Sequence, residues 1–132
     1  MAHFPRLQSL FPTLLAVSFL VLLMSPISQV FAASQTKVSG MITYQGNLVT
    51  GANVTASCSN GNIMLTTSNS KGHYSVTFGT TSTTNCPNGD TVTVTGAILT
   101  SSGHFEGHKT GTMSNNAITI NVALRKCPRR AC

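Results

Sequence analysis

Two of the chain's histidines and one of its two acids fall in a single short run, His104-Phe105-Glu106-Gly107-His108. On a β-strand His104, Glu106 and His108 share one face, with same-face neighbours about 6.6–6.8 Å apart. Residues two apart can both reach a zinc ion, whereas His104 and His108, about 13 Å apart, cannot. A metal site here would take two ligands from this run and a third from elsewhere, such as His73. Two ligands do not complete a shell, so the run reads first as a polar outer face opposite an inward Phe105, and neither metal nor cofactor is expected. Lys37, Glu106 and Asn121 have the side chains for an intramolecular isopeptide bond, which needs lysine and asparagine buried beside the acid. Lys37 and Asn121 instead carry outward parity, opposite to Val38 and Val122.

Catalysis has little else to draw on. Asp90 and Glu106 are the only acids among 132 residues, which leaves no paired-carboxylate machinery beside a structural acid. There is no phosphate loop, no GxGxxG, and no scaffold for a Ser-His-Asp or Cys-His arrangement. A non-enzymatic protein is expected.

The other chemistry-bearing residues point outside the cell. The first 32 residues have the form of a secretory leader: Arg6 before an apolar stretch from Leu14 to Met24, then Pro26, then Val30-Phe31-Ala32 before a cut ahead of Ala33. That stretch is short against the roughly 20 residues of a membrane span, so no stable membrane insertion is expected. Four cysteines in an exported chain are expected to pair, because that compartment is oxidising. Cys58 with Cys86 and Cys127 with Cys132 is the favoured pairing; a crossed pairing that ties the end of the chain to the body is the alternative. Asn53-Val54-Thr55 is an N-glycosylation sequon, with Asn53 facing outward. Arg125, Lys126, Arg129 and Arg130 make residues 125–132 a basic tail that could contact an anionic surface or polymer. It has no interleaved aromatics, so nucleic acid is not an expected partner. Arg6 leaves with the leader, so a mature chain keeps seven of the eight Lys+Arg against two acids, and four of those seven lie in the tail.

The elements that must position these groups show a period of two. Val38, Ile42 and Tyr44 share one parity. Val54, Ala56 and Cys58, then Ile63 and Leu65, then Tyr74, Val76 and Phe78, then Val92 and Val94, and finally Ile118, Ile120, Val122 and Leu124 do the same. Gly- and Asn-rich turns separate them, at Gln45-Gly46-Asn47, Asn60-Gly61, Asn69-Ser70-Lys71-Gly72, Asn88-Gly89-Asp90, Ser101-Ser102-Gly103 and Ser114-Asn115-Asn116. The pattern predicts an all-β chain of about seven strands, near 36–45, 52–59, 62–68, 73–79, 91–100, 104–111 and 117–124. Seven such strands fit a single antiparallel or mixed β-sandwich over residues 33–124.

Two segments carry a family signal, Val38-Ser39-Gly40 through Gly51-Ala52-Asn53-Val54, and Leu65-Thr66-Thr67 through Gly72-His73-Tyr74-Ser75-Val76. Together they resemble the carboxypeptidase regulatory-like, or transthyretin-like (prealbumin-like), β-sandwich domains. The spacing of Gly51-Ala52, Cys58, Gly72-His73-Tyr74 and Cys86 is also similar to the pollen Ole e I-like secreted proteins, although those carry a C-x-x-C pair where this chain has Tyr44-Gln45-Gly46-Asn47. The resemblance implies a prealbumin-like fold and a non-catalytic accessory module. It implies a secreted or cell-wall protein with an extracellular polysaccharide or protein as partner. A structural component of the cell wall or matrix without a specific ligand is the alternative.

Overall fold

A computed structural model describes residues 34–128 and Cys132. The leader expected over residues 1–32 lies outside the described residues, as do Arg129 and Arg130. Among the described residues every regular element is a strand: β1 Thr36–Tyr44, β2 Asn47–Leu48, β3 Asn53–Cys58, β4 Ile63–Thr67, β5 His73–Phe78, β6 Thr91–Thr100, β7 Gly103–Thr112, β8 Ala117–Thr119 and β9 Val122–Lys126. Each alternating run of the sequence falls on a strand, the last one on two. The count is nine rather than seven for two reasons. A two-residue β2 folds back on β1, and the last run is split into β8 and β9.

The strands form one hydrogen-bonded network in the order β2-β1-β9-β7-β6-β3-β4, with β5 and β8 also on β1. It curls into a half-barrel because β1 serves two sets of partners. Its first half pairs antiparallel with β5, from Thr36↔Phe78 to Met41↔His73, and parallel with β8, from Lys37↔Ala117 to Ser39↔Thr119. Its second half pairs antiparallel with β2 and parallel with β9, from Ile42↔Val122 to Tyr44↔Leu124. Inward residues of all the long strands fill the concave face: Val38, Ile42, Val54, Val76, Phe78, Val92, Val94, Phe105 and Val122 are buried in one cluster.

At the split between β8 and β9 the chain passes very close to β1. The Ile120 amide donates to the Ser39 carbonyl at 2.8 Å, and the Met41 amide donates to Asn121 Oδ1 at 3.0 Å. Asn121 thus supplies with its own side chain an acceptor for the Met41 amide where the ladder is interrupted. The Tyr74 hydroxyl, on a side chain only 4% exposed, donates to the Ile120 carbonyl at 2.6 Å. Gly40 lies beneath this crossing, where a Cβ would land on the Ile120 carbonyl.

Burial pushes the Tyr74 phenol up to about 12. In the unfolded chain it ionises near 10, so the folded state resists losing this proton. The stabilisation is complete below pH 10 and is lost as pH rises from 10 towards 12, by about 2–3 kcal/mol in total. Urea denaturation across pH 8.5–12 should show this decline. Tyr74→Phe should be less stable at pH 8.5, by about 1 kcal/mol for the lost hydrogen bond, and should not show the tyrosine-linked part of the slope.

Two sequence expectations are corrected by the register. Ile63 and Leu65 point outward, 59% and 74% exposed. β4 pairs Met64 with Ala56, and opposed residues in an antiparallel pair share a face. Ala56 is buried, so Met64 turns towards the core and its neighbours turn to solvent. At the other end of the chain, the strand continues beyond Leu124 to Lys126. Arg125 and Lys126 are paired with Glu106 and Phe105 of β7. The Cys127 amide then donates to the His104 carbonyl at 2.9 Å. The first basic residues of the tail are therefore part of the sheet.

Candidate functional site: an aromatic-walled pocket at one end of the half-barrel

Where β1 ends, Gln45 and Gly46 adopt φ of 49° and 82°, and the chain reverses into β2. This tight turn brings Val49 back over β1, with its amide donating to the Ile42 carbonyl at 2.9 Å. β6 runs out to Thr100, turns at Ser101-Ser102, and returns as β7 with Phe105 facing inward. The Phe105 ring meets the Tyr44 ring edge to face, with centroids 4.7 Å apart and planes at 67°. Between these elements lies an open pocket of about 230 Å³ lined by Tyr44, Val49, Ile98, Thr100, Ser102, Phe105 and Leu124. Gly96 lies against the side chains of Ile42 and Leu124, where a Cβ would press on both at 3.1–3.2 Å.

The chemistry of the pocket is simple. Its walls are aliphatic and aromatic. Its polar lining is the phenol of Tyr44 and the hydroxyls of Thr100 and Ser102, the last two 2.8 Å apart. No carboxylate or imidazole lines it among the described residues. Lys126 has the parity of Leu124, and its Cε runs close to Gly103 in the hairpin beside the pocket. Such a site can receive one ring-sized apolar face and exchange hydrogen bonds at its edge.

A second, more polar hollow of about 190 Å³ lies at the other end of β1, among Ser34, Thr36, Asn85, Cys86, Pro87, Asn88 and Asn116. Asn88 and Asn116 satisfy each other there: Asn88 Oδ1 accepts the Asn116 amide at 2.8 Å, and Asn88 Nδ2 donates to Asn116 Oδ1 at 3.2 Å.

The site residues expected from sequence are dispersed. Cys58 is bonded to Cys86 and Cys127 to Cys132, with Cα atoms 5.8 and 4.9 Å apart, so the crossed pairing is excluded. The first bond anchors the long 79–90 loop, which is also held by the Asn60 and Asn62 side-chain amides donating to the Asn85 carbonyl at 2.9 and 2.7 Å. Asn53 is exposed at the start of β3. Arg125 and Lys126 are exposed on β9. His104 Nε2 lies 3.9 Å from Glu106 Oε2 on the outer face of β7, while His73, on β5 opposite Met41, joins no group of ligand atoms among the described residues. Lys37 is exposed and Asn121 is bound to the Met41 amide, so neither is set up for an isopeptide bond.

The pocket itself is the element that sequence reasoning missed. Inward parity placed Tyr44 and Leu124 in the core, and Phe105 opposite the His104 face. Nothing in the order of residues shows that the three converge at an open end.

No protein-family model matches the chain, and no curated protein matches it significantly.

Proposed function

We propose that the chain is a secreted, non-catalytic β-sandwich module of the carboxypeptidase regulatory-like type, and that it binds an extracellular carbohydrate or cell-surface polymer through the Tyr44–Phe105 pocket. The observation that carries this reading is the pairing of an aromatic wall with rim hydroxyls. The apolar C–H face of a sugar ring packs on an aromatic ring, and its hydroxyls exchange hydrogen bonds with Thr100 and Ser102. The pocket is smaller than the roughly 300–1,000 Å³ of sites that engulf a drug-sized ligand, so it suits one protruding residue of a longer chain. Two disulfides accord with an oxidising, extracellular setting.

The test is retention on a panel of insoluble polysaccharides, with affinity then measured by calorimetry on soluble fragments of any that bind. Wild type should bind at least one. Tyr44→Ala should lose at least about tenfold in affinity while keeping its β-sheet circular dichroism, in line with a contact worth about 1.4 kcal/mol. Absence of binding across the panel would overturn the carbohydrate reading and leave a structural wall or matrix component. Equal binding by wild type and Tyr44→Ala would remove the pocket from it.

A further inference from the structure

The outer face of the β7–β9 ladder brings together groups that serve neither the core nor the pocket. The register that pairs Glu106 with Arg125 and Phe105 with Lys126 places Cys127 opposite His104, and the Cys127 amide donates to the His104 carbonyl at 2.9 Å. His104 and Glu106, two residues apart, share that face, with Nε2 and Oε2 3.9 Å apart. One ligand atom from each of His104, Glu106 and Cys127 lies within 4.8 Å of the other two. In a tetrahedral zinc shell with bonds of about 2.0–2.3 Å, neighbouring ligand atoms are about 3.3–3.8 Å apart. Small side-chain rotations cover the difference.

As the protein stands, Cys127 Sγ is bonded to Cys132 and has no thiolate to offer. We propose that opening the Cys127–Cys132 disulfide converts this patch into a site for a thiophilic divalent cation of the zinc class, held by His104, Glu106, Cys127 and Cys132. The chemistry balances with a dithiol as the reductant. The dithiol gives up two electrons and two protons and becomes a disulfide, while the Cys127–Cys132 bond accepts them and becomes two thiols. On coordination the two thiols release their protons and the dication takes their place. Two thiolates and a carboxylate around a dication leave one net negative charge, which Arg125, paired with Glu106 on the same face, offsets.

Access makes the switch selective. Cys132 is exposed, whereas Cys58 and Cys86 are only 5% and 0% exposed. A reductant meets the terminal bond first, and the bond that anchors the body survives. The inference rests on residues separate from the pocket, so it stands or falls independently of polysaccharide binding.

The test uses the disulfide-bonded protein, treated with limiting dithiothreitol until mass mapping shows Cys127 and Cys132 free and Cys58–Cys86 intact, then freed of reductant without air. Cobalt(II) is added as a spectroscopic probe, with zinc(II) in competition. The expected result is one cobalt per chain with near-ultraviolet thiolate charge-transfer absorption and the visible bands of a tetrahedral ion. Neither should appear with the oxidised protein. His104→Ala and Glu106→Gln should each weaken binding at least about tenfold, and Cys127→Ser with Cys132→Ser should abolish the charge-transfer band. Absence of the bands in the reduced protein would overturn the proposal, as would undiminished affinity in the His104→Ala, Glu106→Gln double variant. Equal binding by the oxidised protein would overturn its redox dependence.

Discussion

Gly40→Ala is expected to lower the unfolding free energy by about 3–5 kcal/mol, near the upper limit for a single substitution. Conformational preference does not cause this, because Gly40 lies in the middle of a strand without a positive φ. The cause is occupied space. The added methyl would meet the Ile120 carbonyl, a backbone atom that already accepts the Tyr74 hydroxyl and cannot rotate away. Relief requires β1 to separate from the β8–β9 crossing. That puts the Met41–Asn121 and Ile120–Ser39 hydrogen bonds at risk together. Gly46→Ala is the appropriate comparison. Gly46 has a positive φ of 82° with open space around it, so alanine there costs only about 1 kcal/mol. Equilibrium urea denaturation of the two variants checks the contrast, and similar losses for both would contradict the steric account.

Replacing Cys58 and Cys86 together by alanine should cost about 3–4 kcal/mol, the chain-entropy value for cysteines separated by 28 positions. The native state loses additional packing, since both sulfurs are in the buried cluster. The loss should be confined to stability. Asn60 and Asn62 still hold the 79–90 loop through Asn85, and none of these residues lines the Tyr44–Phe105 pocket. Thermal melting should show a lower but still cooperative transition. A broad, non-cooperative melt would mean that the bond is needed to define the fold, beyond stabilising it.

Strand positions were readable because period two is enforced wherever a strand has one buried face, and the glycine and asparagine turns mark where each run must stop. Gly46, Gly61, Gly72, Gly89 and Gly103 all adopt the positive φ that these turns require. Parity also indicated that Cys58 points inward and so can reach a loop crossing the edge of the core. Ile63-Met64-Leu65 was misread because three consecutive apolar residues fit either phase, and only the pairing with β3 decides between them. The break between β8 and β9 was hidden because Ile118, Ile120, Val122 and Leu124 keep their parity across it while the chain changes its place along β1. The pocket draws on β1, the segment after β2, β6, β7 and β9, and no local pattern encodes such a meeting.

The place of β9 between β1 and β7 has a consequence for how the protein is made. The first strand of the fold receives its parallel partners last, from residues roughly eighty positions further along the chain. Until those residues emerge, β1 with β5 and β7 with β6, β3 and β4 are two fragments with no ladder between them. Contacts of such long sequence separation form slowly, because loop closure must precede the gain from pairing. A nascent chain therefore stays open until its final strand is available. Its unpaired edges are exposed to other chains throughout that interval.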